Sequence, residues 1–240
     1  MFALLAAAAL TFYGAPARTP RPAVLVVGQS AATAEWAKLL ASAGYAAFTV
    51  PYRDTYPAAV DDVIQAAASL RRAPQPEWRV DSHRIVLLGE GARDGLIANL
   101  AGVSPAAAVQ AVIAVAAPSD WRGGIAPPAF LRDFLLPVLA ARKWEAALAE
   151  ASPAMHIAAD PPPPFLLIHG DRDDVVPLGQ ATHWQSALQA ASGECNLIVI
   201  PGGGHEAAQW RTLRPRRAWE AELLEWLDAV LLRGRKRRGR

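Results

Sequence analysis

Short apolar runs alternate with longer amphipathic stretches along most of this 240-residue chain. "AVLVVG" at 23–28 is the continuous apolar run that a strand buried on both faces requires, and the helical "TAEWAKLLASAG" after it closes on Gly44 as a C′ glycine. "YAAFTVPYR" predicts the next strand, stopped by Pro51, and residues 57–72 predict an amphipathic helix with Pro57 near its first turn. "HRIVLLGEG" reads as a strand ending in glycines, "ARDGLIANLAG" as a helix, and "VQAVIAVAAP" at 109–118 as a further strand. "FLLIHG" at 165–170, a helix from about Pro177 to Ser192, "CNLIVIPGGGH" and a last helix from about Arg216 to Leu232 complete the series. This alternation predicts an α/β fold, a mostly parallel sheet with helices on both faces.

Residues 119–164 break the rhythm with Trp121, Gly123-Gly124, Pro127-Pro128 and "PPPP" at 161–164. The stretch lacks the apolar periodicity for a core of its own, so it predicts a small cap insertion within one domain spanning 21–232. No internal repeat and no transmembrane segment is apparent. With 52% apolar and 19% charged residues, the chain has the composition of a globular domain with a sizeable core.

The formal charge of +2 conceals an asymmetry. The tail 233–240, "RGRKRRGR", holds six of the 24 basic residues and none of the 22 acidic ones, leaving 18 minus 22, or −4, on residues 1–232. A basic run of this kind is read as a disordered, solvated tail rather than as a contact for nucleic acid or an anionic surface. Cys195 is the one cysteine, which excludes an internal disulfide and a cysteine-cluster metal site; it reads as a partly buried thiol at the start of a strand. Residues 1–20 begin with an apolar segment too short to span a bilayer, and "APA" resembles a cleavage site, although no positive charge precedes the run. Export, a truncated start with cytoplasmic residence, and an N-terminal helix packed on the domain all stay open.

Three loops follow predicted strands: "GEGARDG" at 89–95, "HGDRDDVVP" at 169–177 and "PGGGHE" at 201–206. Open α/β sheets form their sites at these strand ends. The three segments, with "YPAAVDDVIQAAASLRR" before the first and "ASPAMHI" before the second, resemble the α/β-hydrolase superfamily in its esterase, lipase and serine-peptidase-like members. The resemblance runs from about residue 22 to residue 230. It implies a G-x-S-x-G nucleophile elbow followed in chain order by an acid and a histidine. Alignment of the elbow puts Gly89 on the first glycine, Gly91 on the serine and Arg93 on the second glycine; the acid falls on Asp173, with Asp174 its neighbour, and the base on His205.

A serine hydroxyl attacks only when an imidazole takes its proton, and a carboxylate holds that imidazole in the right tautomer. Asp173 and His205 retain this half of the device. Gly91 removes the other half, while suiting a turn with positive φ that strains other residues by ~1–3 kcal/mol. Arg93 puts a long cation where the family keeps a glycine, so either the turn has opened or Arg93 runs along the surface; a contact with Asp173 is conceivable. The family's "HGGG" oxyanion run is absent after the first strand, leaving backbone N–H groups of Gln29, Ser30 and Ala92 as donors. Ser30 as a displaced nucleophile is outweighed by its reading as a helix N-cap, and Glu90 and Asp94 do not occupy the elbow apex.

His169 reads as structural, and His83, His156 and His183 show no metal-ligand spacing. No dinucleotide fingerprint is present, so neither cofactor nor metal is expected. Trp121, Trp144, Trp184 and Trp210 are expected in core or cap packing, Trp121 and Trp210 at the pocket mouth. The sequence therefore points to a degenerate esterase-like hydrolase that binds a small acyl-type ligand or a partner. The alternative is an active ester or peptide hydrolase using a His-Asp-activated water or a displaced nucleophile. The oligomeric state is not legible.

Overall fold

The computed structural model describes residues 10–122, 132–135, 143–157, 161–213 and 218–237, the last five by backbone alone. Seven strands form one sheet: β1 (Thr11–Tyr13), β2 (Arg21–Val27), β3 (Ala46–Val50), β4 (Val80–Glu90), β5 (Ala111–Val115), β6 (Phe165–Gly170) and β7 (Cys195–Ile200). Their order across the sheet is β1-β3-β2-β4-β5-β6-β7, and every pairing is parallel except that of β1 with β3. The expected α/β architecture is thus observed. Residues 11–13 form an edge strand rather than part of an N-terminal helix, and residues 1–9 lie outside the described residues.

Buried side chains alternate between two cores, as the two-residue period of a strand requires. Leu25, Phe48 and Leu87 point to one face with α2 (Ala58–Arg72), α3 (Gly91–Val103) and α5 (Gly179–Ala190); Val24, Val26 and Leu88 point to the other with α1 (Ala31–Ser42) and α6 (Trp219–Arg237). The register pairs Leu25 with Leu87 and Val26 with Leu88, so β2 and β4 present matched rows to each face.

Helix ends follow local chemistry. Ser30 caps α1: its Oγ accepts from Thr33 N at 3.1 Å while Ser30 N donates to Thr33 Oγ1 at 3.2 Å, a reciprocal capping box. At the other end, Gly44 N donates to Ala41 O and Tyr45 N to Leu40 O, the Schellman arrangement, with φ +96° at Gly44. The last helix runs past its expected end at Leu232 to Arg237, so the basic run starts as helical backbone and not as a separate tail. Hydrogen bonding continues along the helix because none of residues 233–237 is a proline.

Within 119–164, a short helix α4 (Trp144–Glu150) and a 3₁₀ turn (Pro153–Met155) are described. Phe134 and Leu135 are buried in the same core as α2 and α3. Residues 123–131, 136–142 and 158–160 of the expected insertion lie outside the described residues. Trp121 sits 1% exposed with its backbone N–H donating to Ser152 Oγ, inside the core rather than at a pocket mouth.

The β4–α3 junction tolerates no side chain at its first glycine. A Cβ on Gly89 would fall 2.3 Å from the Asp94 carbonyl oxygen and 2.6 Å from Ala98 Cβ, whereas one on Gly179 would meet nothing within 4 Å. Gly89→Ala should therefore lower the urea-unfolding free energy by about 1–3 kcal/mol, and Gly179→Ala should change it by about 0.5 kcal/mol or less.

Candidate functional site

The chain winds from β2 through α1 to β3 on one side, then crosses back through α2 to β4 on the other side of β2. That reversal opens a crevice beyond the C-terminal ends of β2 and β4. Gly28 follows β2 and Gly91 follows β4, and Gly91 stands at the crevice floor.

Gly91 begins α3 with φ +82°. A Cβ on it would be 3.5 Å from His205 Nε2 and would meet no other atom within 4 Å apart from its chain neighbours and the helix's own backbone. The tight turn is kept, and Arg93 points outward: its guanidinium pairs with Asp54 and lies 5.9 Å over the Phe134 ring. The guanidinium is thus engaged by Asp54 and Phe134 rather than by Asp173.

His205 Nδ1 lies 2.9 Å from Asp173 Oδ2. Asp173 has a fully buried side chain, and its Oδ1 accepts from the N–H groups of Val175 and Val176 at 2.9 and 2.8 Å. Burial pushes the Asp173 carboxyl up, but the contacts from His169, His205 and Val176 N–H together hold it well below the usual carboxylate range. An ionised Asp173 accepts a hydrogen bond from His205 Nδ1, and the other ring nitrogen, Nε2, faces Gly91. His169 does more than fill the core: its Nε2 lies 2.7 Å from Val176 O and 3.3 Å from Asp173 Oδ2, which fixes the acid loop. Asp174, beside it, is exposed.

The loops bearing acid and base meet backbone to backbone. A Cβ on Gly170 would fall 2.1 Å from Gly203 O, and Arg172 N donates to that same oxygen at 2.8 Å. Four residues that the sequence reading did not single out for this purpose hold the histidine loop against the elbow. Glu90 Oε1 accepts from Ala207 N at 3.0 Å and its Oε2 from Trp36 Nε1 at 2.5 Å. Trp36 packs on Trp219, and Trp219 on Trp210, whose Nε1 donates to Gly204 O at 2.8 Å. Trp210 is therefore buried behind the loop rather than at the mouth. The signal for Glu90 lay in its place within "GEG"; the tryptophans carry no local signal.

A cleft of about 240 Å³ lies over the floor, lined by Ser30, Thr33, Glu90, Gly91, Asp94 and His205 among others. Of the expected N–H donors, that of Ser30 is turned inward to Thr33, because the capping box claims it. Ala92 occupies the first turn of α3, where helix N–H groups lack partners along the helix, and Gln29 is an exposed residue between Gly28 and the cap. Among the described residues, no group of three or more His, Cys, Asp or Glu side chains could hold a metal ion. Cys195 is partly buried as expected, and burial pushes its thiol up to about 12.

Asp94 is the unexpected member. Its Oδ1 accepts from the Tyr52 hydroxyl, and its Oδ2 stands 2.2 Å from where a Gly28 Cβ would be. Burial pushes the Asp94 carboxyl up to about 6, against the lowering effects of Tyr52 and Arg93. A raised folded-state pKa means that the stabilising protonated form is complete below the unfolded value of 3.8 and is lost as pH rises through about 6. Asp94→Asn should therefore come close to the wild type in stability near pH 3.8 and exceed it increasingly up to neutral pH, by about 3 kcal/mol.

Comparisons with known proteins agree with this architecture. Esterase LipC of Mycobacterium tuberculosis is 29% identical over 188 residues, which cover 69% of this chain but only 46% of the esterase, so the match spans about half of that relative. The acetyl ester-xyloside bifunctional hydrolase of Caldicellulosiruptor lactoaceticus superposes with a TM-score of 0.79 at 19% identity, covering 92% of this chain and 87% of the other. A sugar hydrolase of Lactococcus lactis superposes at 0.76 with 15% identity, over 94% and 95% of the two chains. The fold is that of the α/β hydrolases. Residues 47–233 match the prolyl oligopeptidase family of peptidases, and on that match the chain belongs to this family.

Proposed function

We propose that this protein is a degenerate hydrolase: an esterase-like scaffold that has lost serine-hydrolase catalysis and keeps a cleft for a small acyl-type ligand or a partner. The observation that carries this reading is Gly91. It stands at the apex of the turn after β4, and the direction its side chain would take leads to His205 Nε2. A family-type reaction needs an oxygen there to bond to the acyl carbon, and glycine has none. The turn itself loses nothing, since glycine adopts φ +82° without the strain that other residues meet.

The intact His205–Asp173 pair favours one second reading, a weak hydrolase in which His205 draws a proton from water over Gly91. Serine hydrolases stripped of triad members keep roughly 10³–10⁴-fold acceleration over water. Hydrolysis of 4-nitrophenyl acetate by the wild type beside His205→Ala, with both unfolding transitions recorded, separates the two. Equal background rates are expected; a clear wild-type rate lost in His205→Ala would establish the water route instead. A companion experiment tests the apex. Gly91→Ser should lose about 1–3 kcal/mol of stability to backbone strain and should take up one fluorophosphonate adduct on residue 91 by mass spectrometry. That adduct should disappear in Gly91→Ser/His205→Ala, and the wild type should show none at that position.

A further inference from the structure

The cleft carries a carboxylate where the resemblance to hydrolases calls for hydrogen-bond donors. Asp94 leaves the first turn of α3 and crosses to the end of β2, where its Oδ2 and Thr33 Oγ1 fill the space beside Gly28 that a side chain would otherwise take. It lines the same cleft as Gly91 and His205. The Gly28 N–H is bonded to Val50 O at 3.0 Å and that of Ser30 to Thr33 Oγ1 at 3.2 Å, so both of these backbone donors at the end of β2 are already engaged. The half-buried Tyr52 hydroxyl, whose ionisation desolvation and Asp94 both oppose, donates to Oδ1 and holds the carboxyl in this orientation.

We propose that Asp94 is the specificity-determining residue of this cleft: its carboxylate turns away carboxylates and developing oxyanions, and leaves the cleft to neutral or cationic ligands that donate hydrogen bonds. The inference deepens the reading of the cleft as a ligand site and adds the sign of the charge it accepts. It also supplies a second physical reason for weak ester hydrolysis, since charge developing on a carbonyl oxygen in the cleft over Gly91 would face the Asp94 carboxylate. Every charged or titratable neighbour bears on the magnitude. Glu90 and Arg93 lie on the same segment, Tyr52 and Asp54 come from the segment after β3, and His205 and Glu206 come from the loop after β7. Thr33 of α1 adds a hydroxyl and no charge.

The test is binding rather than turnover, so it stands whether or not a water-based hydrolysis exists. Butyrate and n-butylammonium, matched in size and opposite in charge, are titrated into the full chain while the His205 imidazole and Ala92 amide resonances are followed. At about pH 8, above the pKa of Asp94, the wild type should prefer n-butylammonium, and Asp94→Asn should shift the ratio of the two affinities toward butyrate by about tenfold or more. Asp94→Ser, smaller and equally uncharged, should move the ratio the same way if Asn disturbs the Tyr52 contact. At about pH 5, where Asp94 is protonated, wild type and variants should converge, which a purely structural role for Asp94 would not produce. An unchanged ratio at about pH 8, the same difference at both pH values, or no binding of either probe to wild type and variants would each overturn the proposal.

Discussion

The pairing of β2 with β4 is the constraint on which the rest of the molecule depends. These two strands are separated in sequence by two helices and a strand, yet lie side by side with their apolar rows in register. Because the winding changes direction between them, the loops that leave their C-terminal ends part rather than pack, and a crevice forms without any residue being devoted to making it. Gly91 at its floor, Ser30 and Thr33 on one wall and Asp94 within it all take their places from that pairing.

The Asp173–His205 contact is held by a different set of forces. Its two loops follow β6 and β7, which are neighbours, so a close backbone approach at Gly170 and Gly203 sets their spacing. Glu90 then ties the histidine loop to the strand end that precedes Gly91, and three tryptophans from the helices on that face back it. None of these contacts involves the side chain at position 91. The arrangement of Asp173 and His205 can therefore persist with glycine at that position, because its stability rests on packing and hydrogen bonds elsewhere.

Much of the fold was legible in the sequence for a simple reason. A strand buried on both faces must be apolar throughout, and a helix on its surface must be amphipathic, so β2 to β7 and the long helices announce themselves locally. Reading failed where local signals compete or are silent. The edge strand 11–13 sits in a segment whose apolar character suggested a helix or a leader, and it is a strand because β3 offers an unpaired edge. The last helix overran Leu232 because basic residues continue a helix as readily as they end it.

At the site, chain order and spacing were enough to bring Asp173, His205 and Gly91 forward, since loops after parallel strands converge on one edge of the sheet. Which groups touch was another matter. Sequence left Arg93 between an opened turn and a course along the surface, and put Trp210 at the mouth and Ser30 among the donors; the structure keeps the turn and pairs Arg93 with Asp54, buries Trp210 behind Gly204 and turns the Ser30 N–H to Thr33. Asp94 was set aside for not standing at the elbow apex, and only the folded chain brings its carboxylate beside Gly28 and gives it a raised pKa. By itself the sequence determined the layered α/β fold, the order of the site segments and the absent side chain at residue 91, because periodicity and chain order are local properties. The direction of each side chain and the charge within the cleft were decided by tertiary structure alone, because they arise from contacts between residues far apart in the chain.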